Sequence, residues 1–120
     1  MSYVDGFVFA VPNENIDRYR DMAEKAGKVW MEYGALAYRE YIADDLNSEM
    51  LPFQETVNAK DNETVMFAYI LYNSRAHRDE VNKKVMSDPR MDDMCDKNNP
   101  PFDFKKMAYG GFRALVNLGN

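Results

Sequence analysis

Residues 64–72 read Thr-Val-Met-Phe-Ala-Tyr-Ile-Leu-Tyr, a run with no charge, proline or glycine. A polar turn, Lys60-Asp61-Asn62-Glu63, precedes it and Asn73-Ser74 follows it. Aromatic and β-branched residues bounded by turn formers predict a strand. Successive side chains of a strand point to opposite faces. One face therefore carries Val65, Phe67, Tyr69 and Leu71, and the other Met66, Ala68, Ile70 and Tyr72. A sheet with helices on one side and water on the other alternates apolar and polar positions. This strand is apolar on both faces, so both need cover.

Tyr3 to Val11 has the same character. Tyr3, Phe7, Phe9 and Val11 fall on one side, Val4, Val8 and Ala10 on the other, and Pro12 ends the run. Asn13 and Asn15 are candidate N-caps. Beyond them Ile16, Tyr19, Ala23, Ala26, Trp30 and Tyr33 recur at spacings of three and four, the stripe of an amphipathic helix, with Gly34 as its C-cap. Gly27 inside that helix implies close packing on a sheet. Leu36 to Ala43 reads as a second strand carrying charges. Residues 44–51 form a polar connection, and Phe53 to Ala59 a weaker strand or hairpin arm. After 64–72, Asn73-Ser74 caps a second helix with Val81 and Val85 inside and Arg78, Asp79, Lys83 and Lys84 outside. Ser87-Asp88-Pro89 starts a short third helix. Lys106 to Leu118 closes the chain as a last strand, interrupted at Gly110-Gly111, where a β-bulge or close backbone contact is expected.

The order is β-α-β-β-α-β. It predicts one ferredoxin-like α+β domain over residues 1–120, an antiparallel sheet with helices on one face. The second face would then show a larger apolar patch than monomers usually leave in water. A second copy packed sheet to sheet is the expected remedy, giving a homodimer; the alternative is cover from the 44–58 insert or the 95–104 loop.

Charge argues against several functions. Fifteen basic residues stand among twenty acidic ones, a net charge of −5, and the basic runs are only the pairs Lys83-Lys84 and Lys105-Lys106. Neither nucleic acid nor an anionic membrane is an expected partner. Cys95 is the only cysteine and His77 the only histidine. Disulfides within the chain and thiolate clusters are excluded, and neither a metal nor another cofactor is expected. Acids at Asp92, Asp93 and Asp96 oppose thiolate formation at Cys95. With no leader pattern at the N-terminus, the cytoplasm is the expected location.

Three segments, Tyr3-Val4-Asp5-Gly6-Phe7, Met86-Ser87-Asp88-Pro89-Arg90-Met91, and Pro101-Phe102-Asp103 with Tyr109-Gly110-Gly111-Phe112, resemble the YbaA-like family of small bacterial proteins across the whole chain. That family is a domain-of-unknown-function family. The resemblance implies the dimeric α/β-barrel superfamily, whose subunits are ferredoxin-like. Its relatives include cofactor-independent monooxygenases, isomerases, haem enzymes and stress-response proteins. No catalytic residue carries over, and fold does not fix function.

Asp5 is the candidate catalytic residue. A carboxylate among Tyr3, Phe7 and Phe9 is desolvated, which raises its pKa and suits a general acid or base. The structural alternative is a bond to backbone or to a neighbouring arginine. Arg39 with Tyr41 can bind a carboxylate bidentately; adjacent Glu40 points to the opposite face. His77 reads as a surface residue, and Arg90 as a partner for Asp103 or an anionic ligand. A ligand cavity on the open face of the sheet would be lined by Phe7, Phe9, Phe67, Tyr69 and Tyr109, with Asp5 and Arg39 as anchors. Cofactor-free proton transfer or oxygenation of an aromatic or enolic molecule fits such a site. The competing reading is a non-catalytic dimeric binding or stress-related module whose interface is filled.

Overall fold

The computed structural model describes residues 2–94 and 97–119. Strands β1 (Tyr3–Pro12), β2 (Ala37–Ile42), β3 (Glu63–Tyr72) and β4 (Ala108–Arg113) form one antiparallel sheet in the order β2-β3-β1-β4. Helix α1 (Ile16–Glu32) follows β1, a single turn α2 (Phe53–Thr56) precedes β3, and α3 (Arg75–Met86) and α4 (Arg90–Met94) follow it. This is the ferredoxin-like arrangement. Among the described residues, no helix is long and apolar enough to cross a membrane.

The expected stripe of α1 is the face that packs: Tyr19, Ala23 and Ala26 are buried, with Val29 beside them. Gly27 belongs there because a Cβ would lie 2.6 Å from Cδ1 of Tyr38, so only glycine lets α1 approach β2 so closely. The asparagine caps do not form. Residues Asn13–Asn15 make a 3-10 turn, and the Asn15 side chain instead donates to the Pro101 carbonyl at 3.0 Å. Ser74 does cap α3, accepting from the His77 N–H at 3.1 Å.

The pairing register assigns the faces. Phe9 lies opposite Met66, Phe7 opposite Ala68, Asp5 opposite Ile70 and Tyr3 opposite Tyr72. Directly opposed residues share a face. Phe9 touches the Tyr19 ring of α1, so this set faces the helices. In β2 it includes Tyr38 and Glu40, and in β4 Tyr109 and Gly111. Val4, Val8, Phe67, Tyr69, Arg39, Tyr41 and Phe112 take the open face.

Three expected elements differ. Residues 53–59 hold no strand: Val57 N–H bonds the Phe53 carbonyl at 3.0 Å and Asn58 takes φ 53°, so local helical bonding wins after Pro52. The last strand stops at Arg113 rather than Leu118. Ala114 N–H still bonds the Ser2 carbonyl at 3.0 Å, just outside the β1 pairing. No bulge occurs at Gly110-Gly111, whose pairing to Gly6 and Asp5 is uninterrupted. The close contact is real: a Cβ on Gly111 would lie 2.8 Å from Cζ of Tyr3.

The two candidate covers also divide. Phe102 stacks on Phe9 at 4.7 Å, so its loop fills the helix side. In the insert, Phe53 meets Phe67 edge-on at 6.3 Å and shelters one corner of the open face. Tyr41, Phe67 and Phe112 remain about half exposed or more.

Candidate functional site

Asp5 sits in mid-strand with Ile70 and Gly111 on either side, and its parity drives the carboxylate under the helices. It is 1% exposed and, among the described residues, the only charged residue that is buried as a whole. Its partner comes from α3. Arg78 Nη1 lies 2.7 Å from Asp5 Oδ1 and also donates to the Tyr109 hydroxyl at 3.0 Å. The same guanidinium donates to the Tyr3 hydroxyl at 3.3 Å, lies 5.0 Å from the Tyr3 ring centroid and bonds Asp79 through Nε. One turn further along α3, Asn82 Oδ1 accepts from the Trp30 indole and the Tyr72 hydroxyl, both at 3.1 Å.

Burial pushes the Asp5 carboxyl above its ordinary value. The Arg78 charge and hydrogen bonds from Asn82, Tyr109 and Arg78 oppose that shift without cancelling it. Burial, and then the charge of Asp5, push the Tyr72 and Tyr109 phenols up. Both phenols therefore stay protonated and able to donate at neutral pH.

Asp5 forms part of the wall of a cavity of about 350 Å³ between the sheet and the helices. Phe7, Phe9 and Ala68 line it from the sheet, and Met22, Met86, Met91, Met94 and Met107 supply much of the rest. Unbranched thioether side chains repack at small cost, so such a wall adapts to ligand shape. A second polar group stands across the sheet. Glu40 Oε2 accepts from the Tyr38 hydroxyl at 2.7 Å, and Oε1 accepts from the Tyr19 hydroxyl. Burial, and then the Glu40 charge, push both phenols up.

The expected open-face pocket is not assembled. Asp5, Phe7, Phe9 and Tyr109 gather under the helices, while Arg39, Tyr41, Phe67 and Tyr69 point the other way. The cavity floor includes the strand segments of Arg39 and Tyr69, but Arg39 Nη1 bonds the Tyr69 hydroxyl at 2.7 Å on the open face and Tyr41 stacks on Tyr69 at 6.3 Å. The physical reason is register: the Asp5 parity of β1 pairs with the Ala68 parity of β3, not with that of Phe67.

Arg78 is the residue that sequence reasoning misplaced, as an outward charge on α3. Its signal was available. Arg78, Val81, Asn82 and Val85 fall at the three-four spacing of one helix face. His77 is half-buried rather than simply superficial; its Nδ1 accepts from the Asn73 N–H at 3.0 Å, and its ring meets Tyr72 edge-on. Arg90 pairs with Asp88 and Glu32 rather than Asp103, whose carboxylate accepts from the Lys105 N–H. Cys95 and Asp96 lie outside the described residues. Among the described residues, no group of three or more His, Cys, Asp or Glu side chains is arranged to hold a metal ion.

A family model for a protein of unknown function (DUF1428) matches residues 2–104. The uncharacterized YbaA proteins of Escherichia coli K12 and Shigella flexneri are each 45% identical over 118 residues, which span 98% of this chain and 99% of theirs. SnoaB, a cofactor-independent oxygenase from Streptomyces nogalater, superposes with a TM-score of 0.54 at 14% identity, covering 99% of this chain and 98% of that one. A NIPSNAP-like domain protein from Burkholderia xenovorans superposes with a TM-score of 0.54 at 10% identity, covering 99% and 90%. At such identities the structural likeness concerns the fold alone.

Proposed function

The chain belongs to the DUF1428 family, and from that premise we propose that it binds a small, mainly apolar, hydroxylated molecule in the cavity beneath α1 and α3. One observation carries this reading: a fully buried carboxylate, held by an arginine and a neutral tyrosine, borders a mainly apolar cavity. Ligand sites typically combine apolar walls with a few convergent polar groups. A phenol or enol hydroxyl would donate to Asp5, whose raised pKa makes it a better proton acceptor than an ordinary aspartate. The proton would pass to the carboxylate, and Tyr109 would donate to the oxygen left behind. An enolate or phenolate formed in this way is the species that isomerisation or direct reaction with oxygen requires. SnoaB is described as a cofactor-independent oxygenase, and its shared fold is compatible with that chemistry here.

The test is calorimetric titration of the full chain with para-ethylphenol. Saturable binding weakened about tenfold by Asp5→Asn supports the reading. Equal affinity in the two proteins removes Asp5 from it.

A second copy of the chain is the proposed cover of the open face. Tyr41, Phe67 and Phe112 are exposed there on a sheet that its own insert shelters only at Phe67. Two such faces pack with side chains interdigitated, and a two-fold axis needs only one self-complementary patch. The ligand cavity lies on the other side of the sheet, so a filled dimer interface and an occupied cavity are compatible.

A further inference from the structure

Resting on the cavity reading above, we infer that the Glu40 end of the cavity selects a protonated amine, so that the ligand carries a hydroxyl at one end and an ammonium at the other. Glu40 has both carboxylate oxygens exposed to donors, Tyr38 and Tyr19, yet both of those donors are neutral. Among the described residues no basic side chain lies within ion-pair distance of it. Arg39, next to it in β2, bonds Tyr69 on the opposite face, and Arg20, which shares a neighbouring recess of about 300 Å³ with Glu40, is bonded to Asp17. Glu24 of the same recess faces Lys28.

Asp5 differs in kind, because Arg78 already supplies its counter-charge. The cavity thus has a neutralised polar end and an uncompensated anionic end. Aromatic rings of Tyr19 and Tyr38 stand beside the second, and a cation gains from ring faces as well as from the carboxylate. The two ends are set apart by the sheet itself. Asp5 and Glu40 lie on β1 and β2 with β3 between them, two strand spacings across and two residues along, about 12 Å in all. A ring with a short alkyl arm suits that separation.

Tyramine, para-ethylphenol and para-hydroxyphenylpropionate share the phenol and differ in the arm: ammonium, neutral and carboxylate at pH 7. Calorimetric titration of the full chain is expected to rank them in that order, tyramine about tenfold tighter than para-ethylphenol. The preference is expected to vanish in Glu40→Gln and to survive in Tyr38→Phe, which keeps the charge. If para-ethylphenol binds in an Asp5-dependent manner but tyramine binds no tighter, the amine inference fails and the cavity reading stands. A preference that persists in Glu40→Gln removes Glu40 as its source. If none of the three binds, both readings fail. The wild-type ranking needs no variant to fold.

Discussion

Arg78 and Asp5, separated by 73 residues in sequence, meet at 2.7 Å in the space between α3 and the centre of the sheet. The contact joins the first strand to the third helix and gives the buried carboxylate its only cationic partner among the described residues. It also orients the guanidinium so that Tyr3 and Tyr109 share it. A structural ion pair and the head of a binding site are here the same object.

Removing the arginine strands a charge. Arg78→Ala leaves Asp5 buried without compensation, and losing one partner of a buried pair costs about 3–5 kcal/mol. Urea unfolding of the variant at neutral pH should show a loss of that size. A loss below about 1 kcal/mol, the range of surface pairs, would mean that the contact contributes little.

The pH dependence has a definite sign. The folded-state pKa of Asp5 is raised above its unfolded value, so its stabilising contribution is fully present below pH about 4 and is lost as pH rises through the folded pKa. Asp88, bonded by Arg90, is shifted the opposite way and contributes above its ordinary range. Subtracting the unfolding free energy of Asp5→Asn from that of the wild type cancels Asp88 and isolates Asp5. The difference should decline as pH rises from about 3 to about 8. A difference that grows with pH contradicts the assigned direction.

Gly111 is a packing requirement of the same network. Gly111→Ala drives a methyl into the Tyr3 phenol and loosens the hold of that ring on Arg78. Overpacking of this kind costs about 1–3 kcal/mol, which thermal unfolding would read as a lowered Tm. An unchanged Tm would show that Tyr3 moves freely.

Much of this was legible in the residues. The strands read at 3–11 and 64–72 declared themselves by composition, each one residue short of the observed span, and the three-four spacing of Tyr19, Ala23 and Ala26 marked the buried face of α1. Asp5 stood out as a lone charge in an apolar run. Which parity of β1 meets which parity of β3 was not legible, because both strands are apolar on both sides and either match satisfies the pattern. Joining Phe7 to Phe67 in one pocket followed from that ambiguity. Arg78 was misplaced because a charged residue on a helix ordinarily faces water, an expectation that outweighed its three-four spacing with Val81, Asn82 and Val85. The turn at 53–56 depends on a single run of local hydrogen bonds, too short for any periodicity to announce.

The open face leads to a prediction about mass. Light scattering should give twice the 13.9 kDa of one chain for the wild type. Phe112→Asp, which puts a charge on the exposed face proposed as the contact, should shift it toward 13.9 kDa. A wild-type mass of 13.9 kDa at all concentrations would eliminate the second copy as the cover.

Methionine methyl spectra probe the cavity from its own walls. In protein labelled at the methionine methyl groups and titrated with para-ethylphenol, Met22, Met86, Met91, Met94 and Met107 should shift together and saturate. Met50, 81% exposed and outside the cavity, should stay in place, and Asp5→Asn should need about tenfold more phenol for the same response. Shifts confined to Met50, or a response identical in Asp5→Asn, would contradict a ligand site at the buried carboxylate.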